Sequence, residues 1–336
     1  MTLTMTSLLN RPLGASGIEV SPIGLGCWAI GGHFLLDGRP DSYGAVDDTE
    51  SIRAIRGAIT AGVSLIDTAD AYGTGHSEEV VGRAVAGRRD QVVLATKFGY
   101  VIDPEARTIT GTDASGGYVR RALAASLRRL RTDYIDLYQL HLGDATTGQA
   151  EDAFATLEDL RQEGLIRAYG WSTWEADAVR HAARRWRLAS VQHELNVLVD
   201  QPDLRAVAAE AGIATIANMP LAMGLLSGRY GAATRMPADE VRGSGHSWVR
   251  YFSDGRPDPD FLAALAAVRE ILTGGGRSLV QGALAWVLAQ GPMTVAIPGF
   301  KSPRQALENA GTLQRPPLTA AELAEIDVLL GRAASG

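Results

Sequence analysis

The strongest constraint on this chain is a repeated alternation of two hydrophobic periods. Short apolar runs occur at Ile23–Cys27, Ser64–Asp67, Val92–Thr96, Ile135–Leu140, Ala168–Trp171, Ser190–Gln192, Ile213–Ala217 and Thr294–Ile297. Longer amphipathic stretches alternate with them: Asp48–Ala61, Ser77–Val85, Tyr118–Arg131, Gln149–Glu163, Glu175–Trp186, Pro202–Ala211, Val280–Ala289 and Pro303–Thr312. Runs of four to eight apolar residues are strand-length, whereas the amphipathic stretches are helix-length. Local punctuation agrees. Asp47 or Asp48 caps the first helix and Gly62 stops it; Ser77 is placed to cap the second, with Glu78 and Glu79 in its first turn. Eight strands alternating with helices predict an α/β fold of the (β/α)8 TIM-barrel type. An open doubly wound sheet would use fewer strands at this length or need a second domain.

Three segments lie outside the repeat. Arg11–Val20 reads as an N-terminal hairpin able to plug the barrel's bottom. Met223–Ser278 is a long loop after strand 7, with a helical piece at Pro259–Leu272, and belongs on the active-site face. Leu318–Leu330 reads as a final helix, with Thr319 as cap and Glu322 at capping-box spacing. No linker interrupts the 336 residues, so one domain over 1–336 is expected, with Met1–Asn10 as a flexible lead-in.

Composition excludes several partners. The net charge is -6 and no dense Lys/Arg stripe exists, which argues against nucleic acid. No apolar run of about 18 residues is present, so no membrane span is expected. The single cysteine, Cys27, has no internal partner and fits a reducing, cytoplasmic setting; it has no base motif beside it and reads as a buried inert thiol. Of 32 basic residues only Lys97 and Lys301 are lysines. In a chain so biased to arginine, each is a candidate for a task needing a compact charge on a flexible stem.

Barrel strand ends build the active site. Asp67 closes the second strand and Tyr72 follows in the loop; Lys97 ends the third strand and His141 the fourth. Adjacent strands lie about 4.8 Å apart, so these side chains can converge. An ammonium beside a phenol favours the phenolate and is expected to lower the Tyr72 pKa, a carboxylate orients the ammonium, and a histidine hydrogen-bonds the same substrate oxygen. Such a group suits proton donation to a carbonyl oxygen while hydride reaches its carbon. No metal-ligand spacing occurs among the histidines.

Those residues sit in recognisable company. Arg11-Pro12-Leu13-Gly14, Gly24-Leu25-Gly26-Cys27-Trp28 and above all Ile66-Asp67-Thr68-Ala69-Asp70-Ala71-Tyr72-Gly73 resemble the motifs of the aldo-keto reductase superfamily, over about Arg11 to Leu330. The resemblance implies Asp67, Tyr72, Lys97 and His141 as catalytic tetrad, with Tyr72 as general acid. It also implies an extended NADP(H) across the barrel's C-terminal face. Gly24-Leu25-Gly26-Cys27-Trp28-Ala29 opens no helix and is not the dinucleotide fingerprint of an open sheet. The implied cofactor positions are Trp28 and Asp67 near the ribose and nicotinamide, Ser172 and Gln192 at the carboxamide, and Asn218 beside the ring. Leu221, Gly224, Leu226 and Ser227 would follow the pyrophosphate; Gly299, Lys301, Ser302, Arg304, Gln305, Glu308 and Asn309 the adenosine phosphate. Lys301, Ser302 and Arg304 beside a helix start favour NADPH.

Three positions depart from the pattern: Asn218 replaces an aromatic stacking residue, Thr173 an asparagine and Gln305 an arginine. The substrate implied is a small carbonyl compound or alcohol. Trp28, Tyr43, Phe98, Tyr100, Trp248 and Phe252 are candidates for an aromatic pocket, and Arg107, Arg242, Arg250 and Arg256 hint at a polar or anionic ligand. The same tetrad also suits an NADP-binding regulatory subunit or a non-redox lyase.

Overall fold

The computed structural model describes residues 10–332; apart from Asn10, the lead-in expected at Met1–Asn10 falls outside them. Eight parallel strands follow one another: β1 (Leu25–Gly26), β2 (Leu65–Asp67), β3 (Val93–Phe98), β4 (Ile135–Leu140), β5 (Ile166–Ser172), β6 (Leu188–Glu194), β7 (Ala214–Asn218) and β8 (Thr294–Ala296). Sequential neighbours pair throughout. Bridges Ile23↔Ala296 and Gly26↔Gly299 join β8 to the β1 segment and close the cylinder. Helices α1 (Asp48–Thr60), α2 (His76–Val85), α3 (Gly116–Leu130), α4 (Thr147–Gln162), α5 (Ala176–Ala183) and α6 (Pro202–Glu210) fill the first connections. α7 (Pro259–Thr273) lies in the long excursion after β7, α8 (Leu279–Leu288) returns to β8, α9 (Pro303–Ala310) follows it, and α10 (Ala320–Leu329) ends the fold.

Strand periodicity sorts the core into two layers. Leu65, Val93, Ala95, Leu137, Ala168, Ala189, Ala214 and Val295 pack inside the barrel, while Ile66, Leu94, Tyr138 and Val191 face the helices. The hairpin formed by Arg11–Pro12 and Glu19–Val20 adds Leu13, Ile18 and Val20 to the inner layer, so it plugs the barrel as expected. Helix caps are also as read: Asp47 accepts from the Thr49 and Glu50 amides, and Thr319 forms a capping box with Glu322. The second helix differs. It begins at His76 after Gly75 in a left-handed conformation, and the Ser77 hydroxyl instead donates to the Cys27 carbonyl (2.9 Å) and lies 2.9 Å from the Thr68 hydroxyl.

Two further features cover the barrel mouth. A four-stranded sheet joins Leu35–Leu36 and Arg39–Pro40 to Tyr100–Asp103 and Thr108–Thr112, through the parallel pair Leu35↔Thr108. A small hairpin, Phe252–Ser253 with Arg256–Pro257, folds within the excursion after β7. Both tight turns are Asp-Gly pairs with positive φ, Asp37-Gly38 (50° and 72°) and Asp254-Gly255 (50° and 72°), as two-residue hairpins demand.

Closure depends on a close backbone approach. A Cβ on Gly26 would stand 2.5 Å from the Ile297 carbonyl oxygen. Gly26→Ala is therefore expected to push β1 from β8 and cost about 1–3 kcal/mol, measurable as a lower urea midpoint; an unchanged midpoint would refute that account of the seam.

Candidate active site

Alternation along the strands aims the polar residues inward at one end of the barrel. On β2, Leu65 faces the inner core and Ile66 the helices, so Asp67 faces inward. On β3, Val93 and Ala95 face inward and the Thr96 hydroxyl bonds Glu78 of α2 (2.6 Å), which turns Lys97 into the barrel. Gln139 pairs directly across from Lys97 on β4. Tyr72 is delivered by a tight turn: Gly73 and Thr74 are both left-handed, and a Cβ on Gly73 would collide with the Gly31 carbonyl at 1.9 Å.

These elements bring the four sequence-identified residues together. The fully buried Lys97 ammonium donates to Asp67 Oδ1 (2.5 Å), the Thr68 carbonyl (2.8 Å) and the Tyr72 hydroxyl (3.1 Å). Asp67 Oδ2 accepts from Gln192 Nε2 (2.9 Å) and Gln139 Nε2 (3.2 Å). The His141 ring meets the Tyr72 ring edge-on, with centroids 5.9 Å apart, and Trp28 stacks on Tyr72 with centroids 6.2 Å apart. Burial alone would depress the Lys97 ammonium, but the Asp67 and Tyr72 interactions outweigh it and the net direction is upward. Burial and the charge of Lys97 hold His141 well below its ordinary pKa, so the imidazole is neutral. Tyr72 departs from expectation. Burial raises its pKa, Asp67 adds to the rise, and the opposing pull of Lys97 is too small to reverse it. The phenol keeps its proton at neutral pH.

A cavity of about 950 Å³ opens over this cluster. Of the positions expected to meet a dinucleotide, it is lined by Trp28, Asp67, Ser172, Gln192, Asn218, Leu221, Gly224, Ser227, Gly299, Lys301, Gln305, Glu308 and Asn309. Leu226 is instead fully buried in the core beneath that loop. Ser302 caps α9 by accepting from the Gln305 amide, and Arg304 is exposed outside the cavity wall. The Lys301 ammonium donates to the Tyr43 and Ala45 carbonyls, each at 2.8 Å, leaving one N–H without a partner among the described residues. Asn218 Oδ1 is buried without a hydrogen-bond partner.

Among the aromatic candidates, Trp28, Tyr43, Tyr100 and Trp248 line the cavity. Phe98 and Phe252 do not; Phe98 packs against Tyr138 in the helix-facing layer, and Phe252 against Tyr230. Trp174, Phe34 and Asp41 also line it and were not anticipated. Trp174 follows the Ser172-Thr173 pair directly, a position a strand-end reading could have found; Asp41 carries no motif.

Comparison with known proteins settles the family. A profile of the Aldo/keto reductase family matches residues 22–330. The chain belongs to this family. The reductase is 33% identical to the aldo-keto reductase YhdN of Bacillus subtilis, over 86% of this chain and 84% of that one. It is 30% identical to the NADP(+) aldo-keto reductase yakc of Schizosaccharomyces pombe, over 92% and 87%. Among solved structures it is similar to the glycerol dehydrogenase of Gluconobacter oxydans, with a TM-score of 0.80 and 30% identity over 99% and 98% of the two chains. A Klebsiella pneumoniae aldo/keto reductase solved with NADP and acetate matches with a TM-score of 0.71 and 28% identity, over 96% and 95%.

The electrostatics of the reductase give a direct measurement. A difference titration of the wild type against Tyr72→Phe, followed by phenolate absorbance, should show Tyr72 ionising above the ordinary tyrosine value. Lys97→Met, which removes the one neighbouring cation, should move it higher still. Ionisation near neutral pH would contradict the burial argument.

Proposed function

We propose that the protein interconverts a small carbonyl compound and its alcohol with NADP(H), with Tyr72 giving the proton in reduction and taking it in oxidation. The observation that supports this most is the Lys97 ammonium, which bridges the Asp67 carboxylate and the Tyr72 hydroxyl at the floor of the cavity. NADP(H) supplies or accepts the hydride when bound.

The cavity's side chains fit that cofactor. Ser172, Gln192 and Asn218 end three consecutive strands and offer the hydrogen bonds a carboxamide needs; the orphaned Asn218 oxygen is a ready acceptor for its N–H. An amide at this place holds the ring edge by hydrogen bonding where an aromatic residue would stack on its face. Asp67 and Trp28 flank the same end. Leu221, Gly224 and Ser227 form the rim along the pyrophosphate, and Leu226 holds that rim by its buried side chain. The free N–H of Lys301, the exposed Arg304 guanidinium and the start of α9 at Ser302 provide for a 2′-phosphate, which favours NADPH. Gly299, Gln305, Glu308 and Asn309 complete the adenosine end.

Each member of the tetrad then has a task. Tyr72 presents a protonated phenol to the carbonyl oxygen. As its proton leaves, the phenolate gains a charge partner in Lys97 at 3.1 Å, an interaction that strengthens only along the reaction. Asp67 keeps Lys97 charged and fixed. Neutral His141 directs one N–H at the substrate oxygen without competing as an acid. Trp28, Tyr100 and Trp248 supply aromatic walls around this exchange.

Tyr72→Phe tests the assignment. NADPH binding, followed by quenching of protein fluorescence, should remain close to wild type, while carbonyl reduction falls by roughly 10²–10⁴-fold. Activity within a fewfold of wild type would remove Tyr72 as the acid. Full cofactor binding with no wild-type turnover across a broad carbonyl panel would favour a binding role for the protein.

A further inference from the structure

The cavity wall carries a buried carboxyl that the tetrad does not use. Asp41 follows the Leu35–Pro40 hairpin over the barrel mouth, lines the cavity and is 8% exposed. Its backbone is fixed on both sides: the amide donates to the Phe34 carbonyl (3.0 Å), and its carbonyl accepts from the Trp28 indole (3.1 Å). The same Trp28 ring stacks on Tyr72, so one aromatic residue links Asp41 to the acid. The side chain contrasts with this anchored backbone. Oδ1 is buried without a hydrogen-bond partner, and neither carboxyl oxygen has one among the described residues. His246 Nε2 approaches within 3.8 Å, but that nitrogen is already bonded to the Pro40 carbonyl at 3.2 Å. Burial, with Asp37 nearby, pushes the Asp41 carboxyl up to about 8.

The other buried charges on the cavity wall are satisfied. Asp67 holds Lys97, and Arg242 makes two hydrogen bonds to Glu240. Arg250 faces Glu194 at 3.6 Å. Arg242 and the exposed Arg250 thus meet a glutamate where they reach the cavity, Arg229 lies exposed at its edge, and Asp41 is the buried carboxyl on the wall that no cation answers among the described residues. A carboxyl oxygen out of water is costly unless something hydrogen-bonds to it.

We propose that Asp41 is a specificity-determining residue that receives a hydrogen-bond donor, a hydroxyl or an ammonium, carried by the substrate away from its reacting carbonyl. This rests on the reductase reading of the cavity and narrows its substrate class. A substrate whose far end donates to Asp41 satisfies the carboxyl and places its carbonyl beside Tyr72; an apolar far end leaves the carboxyl stranded. The discrimination is of the kind a buried polar group imposes on ligands that lack its partner.

The test compares three aldehydes of similar shape: 4-ethylbenzaldehyde, 4-(hydroxymethyl)benzaldehyde and 4-(dimethylaminomethyl)benzaldehyde, with their meta isomers to vary reach. Wild-type kcat/KM should favour the donor-bearing members. Asp41→Leu should lower kcat/KM for those by roughly tenfold, mainly through KM, and leave the ethyl compound within about twofold. Asp41→Asn separates the sources: a wild-type preference for the amine that is lost in this variant assigns an ammonium, and a wild-type preference for the hydroxymethyl compound that survives it assigns a hydroxyl. Equal loss on all three, or an unchanged ratio in Asp41→Leu, overturns the proposal. The same aldehydes, titrated against the tryptophan fluorescence of the protein with NADP⁺, form a complex with no hydride to transfer and give the same comparison without reduction. Failure of wild-type reduction therefore counts against the reductase reading, while the binding ratio still decides the role of Asp41.

Discussion

The buried ion pair between Lys97 and Asp67 sets the terms for everything around it. Neither side chain is more than 1% exposed, and removing a charge from water costs several kcal/mol even after relaxation. The structure meets that cost by saturation. All three ammonium protons are used, by Asp67, Thr68 and Tyr72, and the second carboxylate oxygen takes two glutamine amides. The partners come from β2, β3, β4, β6 and the loop after β2, so only a closed and correctly registered barrel assembles them. An error of one residue in any of these strands would turn an inward polar group outward and leave a charge stranded.

The pair also explains why the acid is not pre-ionised. Seen from Tyr72, a cation and an anion lie close together and largely cancel, so burial decides the direction and the phenol stays protonated. That is the useful state for a proton donor. In the proposed reaction the ammonium acts as the proton leaves, when the developing phenolate would meet Lys97 at hydrogen-bond distance. Stabilisation that grows with reaction progress accelerates chemistry, whereas a phenolate formed in the resting site would have no proton to give. The expectation of a lowered Tyr72 pKa counted the lysine and left out the burial that brings it there.

What the sequence disclosed follows the reach of each signal. Strand and helix periods are local, and all eight barrel strands lie where apolar runs predict them, within a few residues at the ends. Asp67, Tyr72, Lys97 and His141 were legible because barrel topology places consecutive strand ends side by side. Ser77 misled because a serine ahead of two glutamates has the form of a cap, yet its hydroxyl is drawn to Cys27 and Thr68 across the chain. The rarity of lysine drew attention to Lys97 and Lys301; Lys97 lies in the buried cluster with Asp67 and Tyr72, and Lys301 grips two loop carbonyls, a contact that depends on the fold of residues 43–45. Ser302 and Leu226 proved to be supports for the cavity rather than parts of its wall.

The Asp-Gly turns at Asp37 and Asp254 were readable hairpin signals, but their consequence was not. Where a hairpin lands depends on pairing across the molecule, here Leu35 with Thr108, about 70 residues along the chain. The reacting centre is built by strands whose order fixes their neighbours, so its chemistry can be inferred from spacing. The mouth is built by loops whose contacts are long-range, and it is there that Asp41 acquires its burial. A single carboxylate in a polar loop is unremarkable as sequence; Trp28, His246 and the hairpin sheet closing around it make it costly, and the cost is what ties it to a ligand.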